Sequence, residues 1–203
     1  PDTSSLNVTV ANVAPSITAT IPNTGIEGAS VSFSVSATDP GPDTLTYAWA
    51  FGDGTPNGTS ASTSHTYTEN GVYTVTISVN DGEATTSSTS TITISNANPV
   101  AAIGGDSTGV EGTALNFTGS ATDAGSLDTF TYAWTFGDGS TSTAQNPSHA
   151  YVDEGTGSFT VSLTVTDDDG GTDTVSTSVT ITNVSPVVTS ATATSLVLPL
   201  VFL

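Results

Sequence analysis

Apolar residues alternate with serine and threonine through most of this chain. Val31, Phe33, Val35 and Ala37 share one face of a run whose other face is Ser and Thr. Leu45, Tyr47, Trp49 and Phe51 repeat the pattern, as do Tyr73, Val75, Ile77 and Val79. A period of two sends successive side chains to opposite faces of an extended strand, so each run predicts a strand with one buried and one solvated face. Ser and Thr suit the solvated face of a pleated sheet. Gly-Asp-Gly at 52–54 and again at 137–139 marks turns. No stretch carries the period of an amphipathic helix.

The runs recur. Tyr47-Ala-Trp49-Ala-Phe51-Gly-Asp53-Gly54 returns as Tyr132-Ala-Trp134-Thr-Phe136-Gly-Asp138-Gly139, His65-Thr-Tyr67 as His149-Ala-Tyr151, and the strand at Tyr73 as one at Phe159. Asn12-Val-Ala-Pro15, Asn96-Ala-Asn-Pro99 and Asn183-Val-Ser-Pro186 punctuate the repeat. Proline cannot donate to a ladder, so these segments read as joints. The pattern predicts two units, 15–98 and 99–185. Residues 1–14 read as the last strand of a preceding repeat or as a donor strand, and 186–203 as an extended apolar segment. Six to seven strands per unit, with a Trp in a central strand, predict all-β architecture: two tandem immunoglobulin-like sandwiches.

Composition narrows the chemistry. The 203 residues include no Lys or Arg and 19 Asp plus Glu, a formal charge of −19. Nucleic-acid binding is excluded, because neutralising phosphates needs basic side chains. No apolar run is long enough to cross a bilayer as a helix. The carboxylates repel one another, which makes dissolved cations, divalent ones above all, their expected counterpart. Without Lys or Arg, no salt bridge is expected within the chain, so the fold must rest on apolar burial and hydrogen bonds. Cysteine is absent, which excludes disulfides and thiol chemistry.

Trp49-Ala-Phe-Gly-Asp-Gly54 and Trp134-Thr-Phe-Gly-Asp-Gly139 resemble the Trp-Asp-Phe-Gly-Asp-Gly signature of the PKD (polycystic kidney disease) domain. The family's first Asp is replaced by Ala50 and Thr135. The resemblance implies a non-catalytic, extracellular or cell-surface β-sandwich used for spacing, adhesion or protein contact. It also implies calcium near a joint, held by Asp of the loop before the Trp strand and by Asn of the incoming strand.

The candidate calcium ligands are Asp39 and Asp43 in one loop, Asp123 and Asp128 in its counterpart, and Asp167, Asp168 and Asp169 in a hairpin turn, with Asn12, Asn96 and Asn98 at the joints. Clustered hard oxygens are what calcium takes. Asp53 and Asp138 sit in repeated Gly-flanked turns and read as structural, not as a glycosidase pair. His65 and His149 read as packing or hydrogen-bonding residues, each followed by a Tyr that resembles a tyrosine corner. The aromatic residues of the strands fall on inward positions, leaving no sugar platform. Asn7, Asn57 and Asn116 open Asn-x-Thr glycosylation sequons. Asn183 opens another, but Pro186 follows it closely. Leu196, Val197, Leu198, Leu200, Val201, Phe202 and Leu203 form the most apolar stretch, a candidate for strand donation between subunits.

The main expectation is therefore an extracellular structural or adhesive repeat protein. It would self-associate as a subunit of a fibre, stalk or surface layer, with other surface proteins or glycans as further partners. The alternative is an accessory spacer, or a carbohydrate- or protein-binding module, of a secreted hydrolase. An enzyme is not expected.

Overall fold

The computed structural model describes residues 4, 6–56, 58–152, 157–185 and 187. Among them every regular element is a strand. The first unit holds β1 (Ser16–Thr20), β2 (Thr24–Ile26), β3 (Ser30–Thr38), β4 (Thr46–Ala50), β5 (Ser62–Thr66), β6 (Gly71–Asn80) and β7 (Thr85–Ser95). The second holds β8 (Val100–Gly105), β9 (Thr108–Val110), β10 (Ala114–Thr122), β11 (Phe130–Thr135), β12 (Thr141–Ser142), β13 (Ser148–Ala150), β14 (Gly157–Asp167) and β15 (Thr172–Thr182).

Two sheets face each other in each unit. In the first they run β1-β3-β5 and β2-β7-β6-β4; in the second, β8-β10-β13 and β9-β15-β14-β11-β12. The second unit thus has one strand more than the alternation predicts. The extra one is the two-residue β12, which pairs with Trp134; the first unit reduces it to a single bridge between Trp49 and Gly58. All pairings are antiparallel except β2 with β7 and β9 with β15, which run parallel.

The two-residue period decides what is buried. Val31, Phe33 and Val35 of β3 and Val75, Ile77 and Val79 of β6 point into one core with Trp49, Phe51, Ile92 and Ile94. Leu115, Phe117, Trp134, Phe136, Val161, Leu163, Val165, Val179 and Ile181 build the other. Each such side chain contributes about 1.5–3 kcal/mol when fully buried. The outer faces are joined by hydroxyls: Ser78 with Ser87, Ser162 with Ser176 and Thr164 with Thr174, each pair 2.8 Å apart. Cross-strand hydroxyl pairs replace the ion pairs that a chain without Lys or Arg cannot make there.

A tyrosine corner closes each core. The Tyr67 O–H donates to the Phe51 carbonyl at 3.1 Å and the Tyr151 O–H to the Phe136 carbonyl at 2.9 Å. Burial, helped by the nearby charge of Asp53 or Asp138, pushes both phenols up to about 12, so they remain donors. Each Trp donates its indole N–H to a carbonyl, Ser60 or Ala144, at 2.9 Å. Residues 6–14 make no ladder with the described strands. Their Leu6, Val8 and Val10 are exposed, whereas Ile92 and Ile94, at the positions of the repeat that match Val8 and Val10, are core.

Candidate functional site

The turn after β2, Ile26-Glu27-Gly28, stands at the joint between the units. Its Gly28 N–H donates to the Tyr67 carbonyl at 2.8 Å, and the Glu27 N–H to the carbonyl of Ser95, the last residue of β7, at 3.1 Å. Gly28 has φ 69°, a left-handed conformation that glycine adopts without steric cost. A Cβ there would also overlap the methyl of Ala124 in the second unit. Glu27 is only 2 % exposed. Its Oε1 accepts the N–H of Ala97, just beyond β7, at 2.8 Å, and its Oε2 is buried with no hydrogen-bond partner.

The loop between β10 and β11 docks against that turn. Ser126 N–H donates to the Thr68 carbonyl at 3.0 Å, and Leu127 N–H and Ser126 Oγ donate to Glu69 Oε1 at 2.8 and 3.1 Å. This docking carries Asp123 and Asp128 to Glu27, so that one carboxylate oxygen of each lies within 4.8 Å of the others. Asp123 Oδ2 and Asp128 Oδ2 are, like Glu27 Oε2, buried and unpartnered. Burial, with the charges of Glu27, Asp123, Glu69 and Asp168, pushes the Asp128 carboxyl up to about 6. Three carboxylates held this way need a proton or a cation between them, and no Lys or Arg exists to supply it.

The other expected ligands divide. Asp167 is buried and fully used: Oδ1 accepts the N–H groups of Asp169 and Gly171, and Oδ2 accepts Asn96 Nδ2 at 2.8 Å. Asn12 donates in the same way to Asp81 Oδ2 at 3.0 Å. Asp168 and Asp169 are exposed and form a second group of three carboxylates with Asp128. Hydrogen bonds, chiefly from the Thr129 backbone, hold the Asp168 carboxyl below its usual value. Asp39 binds the Gly41 N–H through Oδ1 and leaves Oδ2 buried and unpartnered, while Asp43 is exposed. Among the described residues, these two join no group of three carboxylates. Asn98 is exposed.

Glu27 was not among the expected ligands. Its signal was present as a repeat, Ile26-Glu27-Gly28 against Val110-Glu111-Gly112, and Glu111 Oε1 likewise accepts a backbone N–H, that of Val184, at 3.1 Å.

The expectation that no salt bridge forms is corrected for the protonated imidazole: two His–Asp contacts are hydrogen bonds that become ion pairs when the histidine is protonated. His65 Nε2 lies 2.6 Å from Asp53 Oδ2, and His149 Nε2 lies 2.7 Å from Asp138 Oδ2. Treating histidine as neutral hid these pairs. An ionised carboxylate only accepts, so each imidazole donates from Nε2. Burial raises the Asp53 carboxyl, but bonds from Thr55 and His65 outweigh it and hold the group below its usual value; Ser140 and His149 do the same for Asp138. Both Asp residues fasten turns: Asp53 accepts the N–H and O–H of Thr55, and Asp138 accepts the N–H of Ser140.

Asn7 is exposed outside any strand, and Asn116 is exposed on β10. Asn57 and the stretch from Leu196 to Leu203 lie outside the described residues.

Tandem immunoglobulin-like sandwiches with a docked joint define the class of protein. The family model for the PKD domain matches residues 12–95 and 96–182, and the chain belongs to that family as two consecutive copies. A microbial collagenase of Vibrio alginolyticus is 40% identical over 76 residues, 37% of this chain and 9% of that protein. Collagenase ColA of Bacillus cereus is 37% identical over 71 residues, 35% of this chain and 7% of that protein. The matched region thus spans less than a tenth of either relative. Among solved structures, the PKD1 domain of Vibrio anguillarum Epp is similar, at 32% identity and a TM-score of 0.37 over 44% of this chain and 99% of that one. The PKD1 domain of the Vibrio cholerae metalloprotease PrtV is similar at 34% and 0.36, over 42% and 99%.

Proposed function

We propose that this chain is a non-catalytic, extracellular spacer, an accessory segment of a larger secreted protein that sets the distance and orientation of its neighbours. The observation that carries this reading is the docked joint. Backbone and side-chain hydrogen bonds from Ser126 and Leu127 to Thr68 and Glu69, and the contact of Gly28 with Ala124, tie one unit to the next. A spacer transmits orientation only if its joints resist bending. The collagenase relatives favour the accessory role over a fibre or surface-layer subunit, because collagen is a polymer outside cells and the matched part is a small fraction of each enzyme. The buried tryptophans, Trp49 and Trp134, offer no stacking face to a sugar. The hydroxyl-rich, acidic faces keep the segment from adhering to its neighbours.

Small-angle scattering of the purified chain tests this. A fixed two-body profile, with no hydrolysis of a panel of proteins, peptides and polysaccharides, is expected. Filaments in the same preparation, or turnover of any substrate, overturn it.

A further inference from the structure

We propose that the joint is a divalent-cation clamp, in which Glu27 of the first unit and Asp123 and Asp128 of the second hold one calcium ion between them. This goes beyond the spacer reading and does not depend on which larger protein the spacer serves. The distinguishing element is Glu27, which reaches the site from the preceding unit, so that the ion bonds both units at once.

Three independent features converge. The first is geometry: one oxygen from each carboxylate lies within 4.8 Å of the other two, the spacing of oxygens around a common ion bound at about 2.3–2.6 Å. The second is the orphaned oxygen of a buried group. Glu27 is 2 % exposed, and its Oε2 has no donor, although Oε1 has one. A buried anion without a partner is costly, and a cation removes that cost. The third is that Asp123 Oδ2 and Asp128 Oδ2 are orphaned in the same way. Asp123 is nonetheless well held, since its Oδ1 accepts the N–H groups of Ala124 and Gly125. The free oxygens of Glu27 and Asp123 are therefore fixed in place by bonds to their sister atoms.

The donor set selects the ion. It is all oxygen, with no sulfur and no imidazole, which favours calcium or magnesium over zinc and copper. Carboxylates from two separate loops make an irregular cage, which calcium accepts and magnesium, with its near-ideal octahedron, does not. In the second group, Asp128 with the exposed Asp168 and Asp169, only Asp128 has an orphaned buried oxygen, so that group carries no site of its own.

The test is calorimetric titration of the whole chain with calcium chloride, after chelation and in about 0.15 M salt, where diffuse attraction to the acidic surface is screened. Circular dichroism in chelator checks that each variant is folded. Wild type should take one ion per chain in its tightest class. Glu27→Gln should lose about tenfold or more in affinity, and Asp39→Asn should lose nothing. Glu27→Asp keeps the charge but withdraws the carboxylate by one methylene; it should also bind more weakly, which separates a ligand from a distant charge. Equal affinity in wild type and both Glu27 variants would show that the second unit holds the ion alone, and would overturn the clamp. Absence of saturable binding up to about 10 mM calcium, weaker than extracellular calcium modules, would overturn it as well.

Discussion

His65 lies face to face on Phe51, with ring centroids 4.1 Å apart and planes 3° from parallel, while its Nε2 holds Asp53 at 2.6 Å. The second unit repeats this with Phe136 and His149 at 4.3 Å. The imidazole therefore links the core aromatic to the Gly-Asp-Gly turn. Asp53→Asn should destabilise the first unit by about 1.5–3 kcal/mol, the range for a hydrogen bond to a charged group, as read by urea unfolding. Because the Asp53 carboxyl sits below its usual value in the fold, its contribution is present above the unfolded carboxylate pKa and lost as pH falls through the lower folded value.

Tyr67→Phe removes a donor from the buried Phe51 carbonyl without opening a cavity. The expected loss is about 1–3 kcal/mol, and Tyr151→Phe should cost the second unit a similar amount. Equal unfolding curves for wild type and both variants would count against the corner as a stabilising device.

Gly28 and Gly112 share a left-handed backbone, at φ 69° and 73°, but only Gly28 touches a following unit. Alanine at either position should cost about 1–2 kcal/mol for the backbone. Only Gly28→Ala should also loosen the joint, seen as a broader distance distribution in small-angle scattering.

Asp128 gives the chelated chain the opposite pH response from Asp53. Its folded pKa is raised from 3.8 to about 6, so its contribution is fully present below 3.8 and lost as pH rises through about 6. In chelator, the joint should melt at a higher temperature near pH 5 than near pH 7.5. A flat profile across that window would contradict the burial and crowding described here.

The strands and the repeat were legible because burial follows a period of two, and Phe33, Trp49 and Ile77 announce their face by that period alone. The turn at Asp53 was legible from its flanking glycines. The partner of that Asp was not, because His65 is twelve residues away and its bond depends on how β5 pairs with β3. The joint was harder still. Asp123 and Asp128 stood out as a pair, but Glu27 is a lone acid 96 residues before Asp123, brought there by docking between units. Only its recurrence as Glu111 marked it.

The parallel pairing of β2 with β7, and of β9 with β15, decides how each unit answers a pull on its two ends. The early strand and the final strand point the same way, so tension drags them past each other along their length. The rungs from Thr24↔Thr93 to Ile26↔Ser95, and from Thr180↔Thr108 to Thr182↔Val110, are then strained together and not peeled one by one. Stretched as a single molecule, a chain built of such units should lengthen in abrupt steps, one unit at a time, and not by gradual unravelling.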